Sequence, residues 1–345
     1  MNYILTELKQ SDPWLYNYHS KMLQMASTQI EGSEKALIEL NKKGHKTGKL
    51  KFVRHGEYRT FTYNQSGFKL ETHGDKTLLY LSKIGYVEIR LHRIINGNIK
   101  QVIVTKSKSG KWHACVTYEV DVIDTSKIDF TKAVGIDVGI KRFAYDSDGH
   151  QIPNPLNLKK MLKPLARIQR EISRRKKGSN NRLKAIRHLQ RIHERIVNRR
   201  SDFQHKLSTI YAQSNDVVFV EDLQLTNMVK NHKLARSIMD SSWGTFVQKL
   251  EYKCKLLVKV PSRNTTVDCS RCGSAVPKSL AIRIHKCNVC NLVMDRDYNA
   301  SINILKKGLE IFNQDRLPQE LREETPVEIS KKSRKQEEAT GLVRW

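Results

Sequence analysis

The chain is 345 residues long and carries 62 Lys and Arg against 35 Asp and Glu, so its formal net charge is +27. That length allows two or three domains with a sizeable core, and the charge favours a polyanionic partner, nucleic acid before a membrane surface. No apolar run approaches the roughly 18 residues of a membrane-spanning helix, and the first residues lack the pattern of a signal peptide.

The first part of the chain predicts a helical segment followed by a β-rich one. Residues 1–50 carry Leu, Ile and Met at helical spacing and end in a Gly/Lys-rich connector. Residues 51–130 change to a period of two, are broken by Gly and Asn turns, and contain the hairpin sequence KSKSGKW. We expect a small antiparallel barrel or sandwich in this second segment.

Residues 131–310 predict an α/β domain. Apolar strands are expected at KAVGID, KRFAYDSDG, DVVFV and LLVKV, with a helix around WGTFVQKLEYKCKL and a last helix beginning near Asp297. The tail, residues 311–345, is rich in Glu, Lys and Arg and is predicted to be disordered.

Four of the six cysteines form two CxxC pairs separated by 14 residues. The pairs are Cys269 with Cys272 and Cys287 with Cys290, and four thiolates complete the tetrahedral shell of a structural zinc with no position left open. In a chain of this kind the pattern favours metal over disulfides and a reducing, cytoplasmic compartment. His285 is a competing ligand that four cysteines make unnecessary.

Five acidic residues lie at strand or helix ends. Asp137 continues the buried strand AVGI, where a bare carboxylate is costly unless it has a partner. Glu221 and Asp222 end the strand DVVFV and point to opposite faces, so one of them at most enters a shared site. Asp295 and Asp297 pose the same choice at the start of the last helix, where an acid is also a plausible helix cap.

One acid from each of these places could converge on a hard cation. Carboxylate oxygens suit Mg²⁺ or Mn²⁺ as thiolates suit zinc, and two such ions about 4 Å apart support phosphodiester hydrolysis. The stretch CNVCNLVMDRDYNAS, residues 287–301, would then contribute to two sites. Its cysteines would bind a structural zinc, and its acids would bind the catalytic cations.

Three segments resemble the RuvC segments of the TnpB family, which are transposon-encoded RNA-guided DNA endonucleases related to type V CRISPR effectors. They are GIDVGIKRFAYDSDG, VVFVEDLQLTNM and DRDYNASINI, in this order with the CxxC pairs just before the last. The resemblance runs from about Leu5 to Gly308. It implies a multidomain α/β protein whose ribonuclease-H-like (RuvC) nuclease domain contains an inserted zinc ribbon at residues 265–293.

The same resemblance implies roles for particular residues. Asp137, Glu221 and Asp297 would be the catalytic ligands of Mg²⁺ or Mn²⁺, in preference to Asp222 and Asp295. Residues 51–130 would be a β-barrel wedge domain and residues 1–50 a short helical recognition segment. The partners would be a guide RNA and a target DNA.

Residues 156–206 predict a basic helical hairpin. They contain 17 Lys and Arg against three acids, and RRKKGSNN marks a turn between two helices. Leu183, Ile186, Leu189, Ile192 and Ile196 keep helical spacing, so we expect that face to be buried. One interpretation is a basic face that contacts only solvent. The other is a surface that binds the phosphate backbone of a nucleic acid. The candidate contacts are Arg170, Arg174, Arg175, Lys176, Lys177, Arg182, Lys184, Arg187 and Arg191.

Other functions stay open from the sequence. A non-cleaving RNA-guided DNA-binding repressor, an accessory transposition protein and a structure-selective nuclease without a guide all fit the charge. Relatives of this kind usually carry some tens of residues ahead of the position of Met1, which bears on recognition of the DNA motif flanking the target. The guide, the target, the cut pattern and the oligomeric state are not predicted.

Overall fold

A computed structural model describes residues 2–54, 56–92, 94–119, 128–279, 281–315 and 341–344. The protein is a mixed α/β protein that divides into two compact units, Met1–Val122 with Lys332–Trp345, and Ile123–Lys331. None of the helices in the described residues is long and apolar enough to cross a membrane.

The described residues contain eight α-helices, a short 3₁₀ helix at Pro13–Asn17, and fourteen strands. The helices are α1 (Asn2–Ser11), α2 (Ser20–Lys42), α3 (Asn157–Arg174), α4 (Asn180–Ser214), α5 (Leu225–Met228), α6 (His232–Ser241), α7 (Trp243–Lys253) and α8 (Arg296–Asp315). The strands are β1 (Thr60–Asn64), β2 (Phe68–His73), β3 (Lys76–Leu81), β4 (Gly85–Ile89), β5 (Ile99–Lys106), β6 (Trp112–Tyr118), β7 (Ala133–Val138), β8 (Arg142–Asp146), β9 (Gln151–Pro153), β10 (Val217–Glu221), β11 (Leu256–Val260), β12 (Ile284–Lys286), β13 (Val293–Asp295) and β14 (Gly341–Arg344).

The first unit is antiparallel, as its period-two pattern predicts. Its strands form two sheets, β1-β5-β6-β14 and β2-β3-β4, around one core that includes Tyr63, Leu79 and Val102. The KSKSGKW hairpin joins β5 to β6, with Gly110 at φ 96° in its turn. No closed barrel is seen in the part of this unit that the structure describes, so the barrel form of the expectation is not confirmed.

The charged tail also differs from the expectation of disorder at both of its ends. Helix α8 continues to Asp315, and residues 341–344 pair antiparallel with β6. The predicted disordered residues between them, 316–340, lie outside the described residues.

The second unit contains a five-stranded sheet with the order β11-β10-β7-β8-β9. Strands β7, β10 and β11 run parallel, while β8 and β9 are antiparallel additions on the other side. Both faces of β7 and β10 are covered, which is why these two strands are apolar up to Asp137 and Glu221. Val134, Ile136, Val218 and Val220 face a core shared with α4, α6 and α7, whereas Val217 and Phe219 lie against Ile304 of α8.

Two glycines allow α8 to lie directly on this sheet. A Cβ on Gly135 of β7 would stand 2.4 Å from the carbonyl oxygen of Ser301, and one on Gly308 would stand 2.1 Å from the Phe219 ring. Neither distance is compatible with a side chain, so glycine permits the close approach of helix and strand. The first turn of α8 is thereby held near the ends of β7 and β10.

The residues of the predicted basic hairpin form two helices, α3 and α4, with their own apolar seam. Leu165 and Ile168 of α3 lie against Ala185, Ile192 and Ile196 of α4. The expectation for Leu183 is wrong, because this side chain is 46% exposed and Ala185 occupies the buried position near the turn instead.

Candidate metal centres

Asp137 and Glu221 lie at the carboxyl ends of two neighbouring parallel strands. Strands β7 and β10 pair in register, with Gly135 opposite Phe219 and Ile136 opposite Val220. Side chains alternate along a strand, so Asp137 and Glu221 are on the face that carries Gly135 and Phe219, the face covered by α8. Asp222, the next residue, lies on the other face and is exposed.

Asp297 lies in the first turn of α8, and the structure divides the two acids at this helix start into different roles. Asp295 Oδ1 accepts a hydrogen bond from the backbone N–H of Asp297 at 2.9 Å, so Asp295 is the residue that caps the helix. Its other oxygen accepts from Arg142 at 2.7 Å. Burial opposes the charge, but these hydrogen bonds hold the pKa of Asp295 below its usual value. The cap of this helix is therefore Asp295 and not Asp297.

Burial and neighbouring charges shift the pKa values of Asp137 and Glu221. Burial, followed by the charges of Glu221 and Asp297, raises the pKa of Asp137 well above its usual value. Burial also raises the pKa of Glu221, although a hydrogen bond from Thr265 and the charge of Lys307 act against it. A divalent cation among these oxygens would relieve both the burial penalty and the repulsion, so the donor set fits a hard metal ion.

Arginines lie beside Asp297. Arg296 Nε is 3.5 Å and Arg283 Nη1 is 3.6 Å from Asp297 Oδ1. In the described part of the chain, Asp137, Glu221 and Asp297 are not among the groups whose donor atoms all lie within 4.8 Å of one another.

The four cysteines do form such a group, with all four sulfur atoms within 4.8 Å of one another. The Cys269–Cys290 and Cys272–Cys287 sulfur distances are both 3.6 Å. Tetrahedral zinc with Zn–S bonds of about 2.3 Å requires sulfur atoms about 3.8 Å apart, so the cluster fits zinc.

Local backbone geometry builds the two knuckles. The N–H of Gly273 donates to the Cys269 carbonyl at 2.9 Å with Gly273 at φ 74°, and Asn291 closes the second knuckle at φ 57°. Hydrogen bonds from Ser274 lower the pKa of Cys272 to about 6, which favours the thiolate that a metal needs. His285 is buried with its Nδ1 2.5 Å from Lys278 Nζ and is not in the cluster, as the sequence led us to expect.

Sequence reasoning missed the polar residues that connect the two centres. Asn299 and Asn303, both buried on α8, hydrogen-bond the loop that leads into the first knuckle. Asn299 Nδ2 and Asn303 Nδ2 each donate to the Asp268 carbonyl at 2.7 Å, and Asn303 Nδ2 also donates to the Thr265 carbonyl at 2.8 Å. The only sequence signal was their i, i+4 spacing on the helix that carries Asp297.

Sequence reasoning did not predict a second group of possible metal ligands. Asp146, Asp148 and His150 lie close together at the β8–β9 turn. The buried Asp146 carboxylate accepts from the backbone N–H groups of Asp148 and His150, at 3.1 and 2.8 Å, and from the Tyr211 hydroxyl at 3.1 Å. Its acceptor capacity is used by the turn, so its role is to hold β8 and β9 in place.

The nine candidate phosphate contacts divide into two groups. Arg175 and Arg182 close the hairpin turn: Arg175 Nη1 donates to the Asn181 carbonyl at 3.0 Å, and Arg182 Nη1 donates to the Ile172 carbonyl at 2.6 Å. The other seven are exposed on the hairpin: Arg170, Arg174, Lys176, Lys177, Lys184, Arg187 and Arg191.

Two family models match consecutive parts of the chain. A model described as "Probable transposase" matches residues 113–232, and a model described as "Cas12f1-like, TNB domain" matches residues 243–304. The second match contains all four clustered cysteines together with Asp297.

Relatives extend the likeness to most of the chain. A protein of Escherichia coli K12 named "Putative RNA-guided DNA endonuclease InsQ" is 30% identical over 315 residues, which are 86% of this chain and 76% of the relative. The chain belongs to the TnpB family. A Streptomyces pristinaespiralis protein named "Putative RNA-guided DNA endonuclease" is 41% identical to this TnpB-family chain over 214 residues, 60% of the chain but only 52% of the relative.

A solved structure titled "Cryo-EM structure of the Cas12f1-sgRNA-target DNA complex" aligns with 71% of this TnpB-family chain and 63% of its own chain. The identity is 15% and the TM-score 0.48. The family assignment rests on the sequence relatives.

Proposed function

We propose that this TnpB-family chain is an RNA-guided DNA endonuclease that hydrolyses phosphodiester bonds at Asp137, Glu221 and Asp297. The observation that supports the proposal is that the paired strands β7 and β10 carry Asp137 and Glu221 at their carboxyl ends, while the charges of Glu221 and Asp297 both act on Asp137. Burial, followed by the charges of Glu221 and Asp297, raises the pKa of Asp137, and this supports a site that functions with cations bound.

The order of the sheet supports a ribonuclease-H-like (RuvC) domain. The five strands lie in the order β9-β8-β7-β10-β11: β7, β8 and β9 are consecutive and antiparallel, and β10 and β11 run parallel to β7. Strands β7 and β10 carry Asp137 and Glu221 at their carboxyl ends, where ligands of open α/β sheets bind.

Mg²⁺ or Mn²⁺ held by these residues would supply charge stabilisation at the attacking and departing oxygens of the phosphodiester. Asp137 and Asp297, both 8% exposed, and the half-buried Glu221 are the residues that would hold these ions. Arg283 and Arg296 lie 3.6 and 3.5 Å from Asp297 Oδ1, close enough to orient its carboxylate in the free protein.

The proposed partners are a guide RNA and a target DNA. The printed names of the relatives and the +27 charge support them, and the seven exposed cations of the α3–α4 hairpin offer a backbone-reading surface. We further propose that the first unit supplies the recognition segment (residues 1–50) and the wedge (residues 51–130). Zinc in the cysteine cluster would have a structural role.

Two linked measurements test the proposal. The protein is expressed and purified, and the RNA that copurifies is sequenced; the proposal predicts one defined short species. The complex is then programmed against a target in Mg²⁺, and Asp137→Ala is expected to abolish cleavage while leaving guide-dependent binding intact. Cleavage by Asp137→Ala would refute the assignment of the site. Guide-dependent binding without nicking by the parent chain would favour a repressor, and random RNA would favour an unguided protein.

A further inference from the structure

The loop that joins β11 to the first cysteine knuckle makes a direct contact with the carboxylate site. Thr265 in this loop is 1% exposed, and its hydroxyl hydrogen-bonds Glu221 Oε1. The same hydroxyl is 3.1 Å from the Ser262 carbonyl. A threonine hydroxyl has one proton, and an ionised carboxylate accepts it more strongly than a carbonyl does, so Glu221 is its partner when charged.

The position of Thr265 is fixed from two directions. Its carbonyl accepts from Asn303 of α8, and four residues later Cys269 enters the cysteine cluster. Asn299 Oδ1 accepts from the backbone N–H of Ser270 at 2.9 Å, inside the first knuckle. The loop is therefore held between the helix that carries Asp297 and the knuckle, and no step in this chain of contacts depends on a long or exposed side chain.

We propose that Thr265 is a positioning residue for Glu221, and that it connects the folding of the cysteine cluster to cation binding at the carboxylates. This inference rests on the function proposed above. Glu221 is the last residue of β10, where it pairs with Val260 of β11, and its side chain is half-buried. A hydrogen bond to one carboxylate oxygen orients the other toward the ions, as outer partners of metal ligands commonly do.

The geometry also accounts for the neighbouring acid. Asp222 points to the opposite face and is exposed, and its backbone N–H donates to Val260 at the end of β11. Thr265 follows that strand by five residues and returns to the Glu221 side. The turn after β11 thus selects which of the two acids is held in the site.

The test compares three full-length variants by Mn²⁺ binding, measured by electron paramagnetic resonance and calorimetry in the absence of nucleic acid. Thr265→Val removes the hydroxyl but keeps the branched shape, Thr265→Ser keeps the hydroxyl, and Thr266→Val makes the same change at the half-buried neighbour. We expect Thr265→Val to weaken Mn²⁺ binding about 10- to 100-fold, the range for outer-shell partners, while Thr265→Ser and Thr266→Val stay within about threefold of the parent. Zinc content should be unchanged in all three.

Glu221→Gln separates the inference from the function on which it rests. If Glu221→Gln weakens Mn²⁺ binding and Thr265→Val does not, the positioning role is refuted while the carboxylate site stands. If Glu221→Gln itself leaves Mn²⁺ binding unchanged, the proposed site and the inference both fail. Should Thr265→Val not fold, Thr265→Ala replaces it, since a smaller side chain in a loop avoids overpacking, with the same expected loss and the same contradiction.

Discussion

The cysteine cluster and the carboxylate site lie on adjacent stretches of the same chain, yet they are built in different ways. The cysteines come from two tight knuckles 14 residues apart, and their sulfur atoms already stand at zinc-like distances. The acids come from β7, β10 and α8, and their oxygens are not gathered to within 4.8 Å in the described chain. One site is a product of local turns; the other exists only when the whole sheet and α8 have assembled.

The difference explains why one centre supports the fold and the other strains it. Four cysteines would close the coordination shell of a zinc ion and so stabilise a loop that has little apolar core of its own, chiefly Leu292 with Val276 and Met294. At the carboxylates, burial and then the charges of Glu221 and Asp297 raise the pKa of Asp137. Such opposed burial and repulsion is typical of a functional site rather than a structural one.

The largest expected effect separates the two acids at the end of β10. Glu221→Gln should reduce guide-dependent cleavage by about 10³-fold or more, because losing a cation ligand removes several kcal/mol of transition-state stabilisation. Its matched control is Asp222→Asn, next in sequence and exposed on the other face, which should stay within about tenfold. Cleavage assays under single-turnover conditions measure both. Equal losses in the two variants would show that the strand face does not choose the ligand.

The next prediction concerns the cysteine cluster. Cys287→Ser should release zinc and lower the temperature of unfolding before any effect on chemistry can be measured, since structural zinc contributes its binding free energy to folding. Zinc content by mass spectrometry and a thermal melt measure this. Cys115→Ser, a change outside the cluster in β6, is the control and should leave zinc in place. A folded, zinc-free Cys287→Ser protein that still cuts would contradict the structural role.

The basic hairpin gives a smaller effect that depends on which cations are changed. Replacing the exposed Lys176 and Lys177 with Ala should weaken nucleic-acid binding and reduce the slope of log K against log salt by about 2. Arg182→Ala should act mainly on stability, because Arg182 donates to the carbonyls of Ile172 and Arg175 in the turn. Binding titrations at several salt concentrations, with a melt of each variant, distinguish the two. An unchanged salt slope in the double variant would indicate a solvated surface.

The smallest predicted effect is on the stability of the metal-free protein. The pKa of Asp137 is raised on folding, so the folded state binds more protons than the unfolded state between the two pKa values, and stability falls as pH rises through that window. Asp137→Asn removes the buried charge and should raise the unfolding temperature in EDTA at neutral pH while flattening the pH dependence. A lower unfolding temperature for Asp137→Asn would show that burial and repulsion do not strain this residue.

The sequence predicted the cysteine cluster and most elements of the second unit, because CxxC spacing and apolar strands are local signals. The strand period allowed at most one of Glu221 and Asp222 in the site, and the preference for Glu221 came from the family resemblance. The sequence pattern alone could not separate Asp295 from Asp297, since both stand at a helix start and the decision depends on Arg142, 153 residues earlier in the chain. Thr265 and the two asparagines were missed for the same reason, because their partners are distant in sequence.

Other errors came from helix phase and from pairing. Leu183 follows the apolar spacing but lies at the end of the seam, where the turn leaves it in solvent. The short strand β14 has only Gly341–Arg344 and pairs with a partner more than 200 residues away, a contact that composition cannot predict.

The most direct test of the central claim is anomalous scattering at the manganese edge from crystals of the full chain equilibrated with Mn²⁺. The account predicts density within bonding distance of the Asp137, Glu221 and Asp297 carboxylates, with Arg296 or Arg283 displaced from Asp297 where an ion takes its place. No density there, or density only at the Asp146–His150 turn, would contradict it.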